Sequence, residues 1–161
     1  MEQVRAKHVP ANFSEIIAVR LLPGTDIMHG LATVCKENGI LHGYLLMAIG
    51  TVNKATIQIF RPKPETKLGA GYTEPETIPG PIEILGLSGI VFETEKGEVA
   101  LHLHGTFCDK EGKLLGGHIV PGGNPVCATL DACIARVSGA RFMTRFDEET
   151  GLNLFSPEKL P

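Results

Sequence analysis

Apolar and polar residues alternate along most of the chain, and one early stretch switches to helical spacing. Ile27, Met28, Leu31, Val34 and Cys35 form an apolar stripe that returns every three or four residues. Thr25 or Asp26 is placed to cap its start and Gly39 its end, which predicts a helix over 26–38. Elsewhere the two-residue period predicts strands over 14–22, 40–49, 55–60, 82–94, 98–108, 113–120 and 126–137, with a turn at 50–54. Residues 61–81 are rich in Pro, Gly, Glu and Thr without periodicity and read as a long surface loop, a natural lid. The mixed aromatic and charged stretch 141–155 reads as an edge strand or a partner contact. One helix among many short strands predicts an α+β fold, a mostly antiparallel β-sheet with one main N-terminal helix.

At 161 residues the chain fits a single domain, 1–161. Its net charge of −3 and scattered Lys and Arg argue against direct nucleic-acid binding, which needs clustered cations. Met1-Glu2-Gln3-Val4-Arg5 has no apolar run behind it, so no secretory signal is expected. The most apolar segment, 40–49, is too short to span a membrane. Cys35, Cys108, Cys127 and Cys133 have no Cys-x-x-Cys spacing, and reduced thiols in the cytoplasm are the expectation. Dinucleotide, phosphate-loop and nucleophile-elbow motifs are all missing.

Leu101-His102-Leu103-His104 and Gly116-Gly117-His118 carry the candidate chemistry. On a strand, His102 and His104 share a face about 6.6 Å apart, while Leu101 and Leu103 face the core. Residues 109–113 read as a turn, and folding the chain about Glu111 sets His104 opposite His118, unless a bulge at Gly116 or Gly117 turns His118 aside. Three convergent imidazoles make a metal site, since each nitrogen must come within about 2.0–2.1 Å of the ion. Alternating His and Leu is also what a half-buried strand with an ordinary polar face looks like. Cys108 shares the histidines' face but lies about 13 Å along it, too far for a fourth ligand on a straight strand. Glu83 shares a face with Leu85, Leu87, Gly89 and Val91. It is either solvated at the strand entrance or a pocketed carboxylate, a candidate proton shuttle or partner of a ligating histidine. Strands 82–94 and 126–137 carry apolar residues on both faces, so a neighbouring subunit is expected to cover what one helix cannot.

The blocks Arg20-Leu21-Leu22-Pro23-Gly24, Gly50-Thr51-Val52, Glu83-Ile84-Leu85-Gly86-Leu87-Ser88-Gly89, His102-Leu103-His104 and Gly116-Gly117-His118, in that order, resemble the PPC domain shared by plants and prokaryotes. The similarity runs over about residues 15–154. It implies an α+β domain that assembles as a trimer. Plant members carry the domain beside an Arg-Gly-Arg-Pro minor-groove segment that is missing here, and the chain resembles the stand-alone prokaryotic form that keeps histidines at positions 102, 104 and 118. The fold class also includes acetolactate decarboxylase, whose zinc is held by a similar His-x-His plus a distant His. That likeness implies zinc or another divalent transition metal.

Two functions follow as expectations. One is a homotrimeric metal-binding domain whose His102, His104 and His118 bind or transform a small anionic molecule. The other is a non-enzymatic interaction or oligomerisation module with the metal structural or missing. No residue stands out as acid, base or nucleophile beyond Glu83, so the sequence does not decide whether the chain is an enzyme.

Overall fold

The computed structural model describes residues 4–160. The first three residues, on which part of the expectation about a secretory signal rests, lie outside the described residues. The elements in chain order are β1 (Asn12–Leu21), α1 (Ile27–Glu37), β2 (Gly43–Gln58), β3 (Phe60–Pro62), β4 (Ala70–Tyr72), β5 (Glu76–Glu93), β6 (Val99–Cys108), β7 (Leu114–Ile119), β8 (Val126–Ser138), β9 (Ala140–Asp147) and β10 (Leu152–Lys159).

The expected α+β class is corrected. Strands take 62% of the chain and helix 7%, so the architecture is a large sheet with one short helix on it rather than a balance of the two. Eight strands run in the order β1-β8-β2-β7-β6-β5-β9-β10. The sheet is mixed, because β5 meets β9 in parallel at Glu93 and Met143. β2 pairs with β5 along one edge and with β7 at Ile57 and Gln58, so β2, β5, β6 and β7 close into a ring. Closure pairs these four strands with one another, while β1 and β10 remain the outer strands of the sheet.

Three local readings change with it. The turn expected at 50–54 is a continuation of β2. Gly50 has φ +155°, and a Cβ there would lie 2.2 Å from the Thr129 carbonyl, so the glycine serves close approach of β8 rather than a reversal. The long loop expected over 61–81 takes in the end of β3, all of β4 and the start of β5, with β3 and β4 forming their own two-stranded sheet. The apolar faces of 82–94 divide differently from the expectation, because the register shifts between Ile84 and Gly86. The shift swaps the strand's parity, so Ile82 and Ile84 face the same core as Leu87 and Val91, while Ile90 and Phe92 pack on the other side in a second cluster with Phe142.

Helix α1 lies where its stripe predicts, with Asp26 accepting from the His29 backbone N–H as its cap. Ile27, Leu31 and Cys35 are fully buried in the main core, where α1 lies against β6 and β1. No helix among the described residues is long and apolar enough to cross a membrane.

Candidate metal centre

The core fixes which way the histidines face. Leu101, Leu103 and Phe107 are buried in β6, so the alternate positions of that strand project outward. A slip of one residue would bury two imidazoles and expose three core side chains, which pins the register. The β6–β7 turn sets the next distance. Asp109 Oδ1 accepts from the backbone N–H of Glu111 and of Lys113, both at 2.9 Å, and Gly112 takes φ +80°. His104 then pairs directly with His118, the register expected from the turn, and Gly116 and Gly117 pair in step with no bulge.

The three rings form one cluster. Ring centroids are 5.0 Å apart for His102 and His104, 4.9 Å for His102 and His118, and 5.3 Å for His104 and His118. One nitrogen from each lies within 4.8 Å of the other two. The Nε2 atoms of His102 and His104 are 3.0 Å apart, near the roughly 3.3 Å edge that tetrahedral bonds of about 2.0–2.1 Å impose. His104 is exposed while His102 and His118 are half-buried, so the cluster has a protein wall and an open side.

The donor set fits a divalent transition ion. Nδ1 of His118 is buried and has no hydrogen-bond partner, a state that costs about 1–3 kcal/mol unless something engages the ring. Burial, and then the neighbouring His102 and His104, push the His118 pKa down to about 4. Burial followed by His104 lowers that of His102. Both rings therefore keep free lone pairs at neutral pH, as ligands must.

Tyr72 is the residue that reading the sequence misses. It comes from β4, inside the segment read as a loop, and its hydroxyl lies 3.4 Å from His104 Nε2 with its ring 5.0 Å from that of His118. Burial raises its pKa, so the phenol stays protonated and able to donate. Gln58, paired with His118, holds the hairpin by donating from Nε2 to the Thr73 carbonyl at 2.8 Å. Glu83 lies elsewhere. It is exposed, pairs with Cys108 and Thr51, and lines a shallow groove with Thr129 and Asp131. Neither Glu83 nor Cys108 belongs to the cluster.

A family model described as the Plants and Prokaryotes Conserved (PCC) domain matches residues 9–138. The chain belongs to this family. Bifunctional protein GlmU of Synechococcus sp. strain JA-3-3Ab is 28% identical over 91% of this chain. The PCC domain here spans about a fifth of that relative, 21% of its length. Among solved structures, a metal-containing protein from Archaeoglobus fulgidus shares 26% identity at TM-score 0.78, over 94% of this chain and 99% of its own. A candidate DNA-binding protein from Bacteroides thetaiotaomicron shares 24% identity at TM-score 0.73, over 91% and 96%, a likeness of fold alone.

The lowered histidine pKa in this PCC domain has a thermodynamic consequence. An unfolded histidine protonates near pH 6.5 and folded His118 near pH 4, so between those values the unfolded chain binds the extra proton. Stability of the metal-free protein is complete above about pH 6.5 and falls on acidification towards pH 4. Solvent reaches part of the cluster, so the loss is about 1–2 kcal/mol. Thermal melts of chelator-treated wild type against His118→Gln should show a gap that changes across this window. A gap constant from pH 7 to 4.5 would contradict the assignment.

Proposed function

We propose that this PCC domain is a homotrimeric metal-binding protein in which His102, His104 and His118 hold zinc or another divalent transition metal and offer it to a small anionic molecule. The observation that carries this reading is the convergence of three imidazoles, one with a buried and unpartnered nitrogen, beside an open side. The metal-containing description of the Archaeoglobus fulgidus protein supports the same reading. Three neutral donors leave a bound ion its full charge and an open position, which polarises a carbonyl or acidifies a bound water. The Tyr72 hydroxyl, 3.4 Å from His104 Nε2, would be a hydrogen-bond donor to an anion held there. Four free cysteines support a reducing compartment such as the cytoplasm, and the net charge of −3 favours a small-molecule ligand over nucleic acid.

Cobalt(II) tests the open position. Loaded protein should show tetrahedral visible bands that shift when thiocyanate is added. Bands indifferent to saturating thiocyanate would mean a closed, structural ion and would favour the interaction module.

The homotrimer draws support from Leu46, Met47 and Ile49 of β2 and Leu85 of β5, all at least 40% exposed on adjoining grooves. A run of apolar side chains on one sheet face is the mark of a subunit contact. Light scattering should give about three times the 17.3 kDa chain mass. A mass of one chain would contradict it.

A further inference from the structure

The sheet splays beside the histidine cluster. β9 and β10 join the rest through the single parallel pair of Glu93 and Met143. The hairpin is held there all the same. Arg141 donates to Glu93 Oε2 from Nε at 3.1 Å and from Nη2 at 2.9 Å, and the Phe142 backbone N–H donates to His42 Nδ1 at 3.2 Å. Phe142 packs edge-on against Tyr44 and Phe155, with centroids 5.1 and 5.0 Å away. With the hairpin fixed, a cavity of about 300 Å³ remains between β5 and β10. Ile90 and Phe92 form one wall, Leu154 and Phe155 the other, and Thr144 and Asn153 the rim.

His102 also lines this cavity, whereas His104 and His118 do not. The cavity therefore begins on the β5 side of the cluster, where His102 pairs across the ladder with Ile90. Its volume is at the small end of ligand pockets, enough for one ring or branched alkyl group. An apolar cleft joined to a single metal-ligating imidazole suits a molecule with two unlike ends.

We infer that the anion taken by the metal centre is a carboxylate with an aryl or branched-alkyl substituent, the carboxylate at the histidine cluster and the apolar group between β5 and β10. The inference rests on the metal-centre reading above. Filling the cleft removes apolar surface from water, and Leu154, 40% exposed, becomes covered. Phe92 and Leu154 then set the size of the accepted substituent.

Isothermal titration of zinc-loaded protein with 3-phenylpropionate and with propionate tests this through binding, independently of turnover. 3-Phenylpropionate should bind at least about tenfold more tightly, as burial of a ring predicts. Leu154→Ser should lose most of that preference; its partly exposed strand position tolerates the change. Should the variant fold poorly, the wild-type ratio alone still decides. Equal affinities in a wild type that takes up zinc would overturn the cavity assignment and leave the metal centre standing. Failure to take up zinc in equilibrium dialysis would overturn both.

Discussion

His118→Ala should weaken zinc binding by more than about a hundredfold while the metal-free fold survives. Loss of an outer partner of a metal ligand typically costs 10–100-fold, and removing a ligand itself should exceed that. His118 is the sensitive choice because it is the only member contributed by β7, while His102 and His104 sit two residues apart on β6. Without it the two remaining nitrogens, 3.0 Å apart, leave half of a tetrahedral shell to water. The substitution also removes the buried, unpartnered Nδ1, so it gives back part of what it loses in packing against Tyr72. Competition with a chromogenic chelator reads the affinity, and circular dichroism reads the fold. A variant within tenfold of wild type would remove His118 from the ligand set.

The largest stability effect is expected at Asn124, far from any apolar cluster motif. It lies in the Pro121–Pro125 turn, is fully buried, and ties three segments together. Its Nδ2 donates to the carbonyls of Val120 at 2.7 Å and Thr56 at 3.2 Å, and its Oδ1 accepts from the Thr56 backbone N–H at 2.9 Å. Its own N–H donates at 2.9 Å to Asp26, the cap of α1. Asn124→Ala strands the Thr56 N–H and the Val120 carbonyl, whereas the Thr56 carbonyl keeps the Val120 N–H. Two orphaned groups at about 1–3 kcal/mol each predict a loss of about 3–5 kcal/mol, or roughly 6–20 °C in Tm for a chain of this size. The damage should spread to the metal centre, since Ile57 and Gln58, directly after Thr56, pair with Ile119 and His118. Urea denaturation measures the loss; a value under about 1 kcal/mol would show that water replaces the side chain.

The parts legible in the sequence are those set by local rules. α1 follows from its stripe and cap, and the pairing of His104 with His118 follows from alternation plus a five-residue turn closed by Asp109 and Gly112. What escapes depends on long-range approach. Gly50 carries a turn signal yet serves contact with Thr129, and nothing local distinguishes the two. The shift between Ile84 and Gly86 moves Ile82 and Ile84 to the face of Leu87 and Val91, and so separates Glu83 from Leu87 and Val91, with which alternation alone had grouped it. β3 and β4 are three residues each, too short for any period, so Tyr72 was hidden in an apparent loop. The one available signal was an aromatic residue in a Gly- and Pro-rich stretch of a chain with only two tyrosines. The α+β expectation fails through long-range pairing too: the pairings that lengthen β2 and β5 and close the ring enlarge the sheet well beyond its locally visible strands.

The central claim is that this PCC domain holds a divalent transition metal on His102, His104 and His118. Its most direct test is elemental analysis of untagged protein dialysed against zinc and then against metal-free buffer. About one zinc per chain is the expected result. Less than about 0.2 per chain would contradict the claim, since a three-histidine centre would retain its ion.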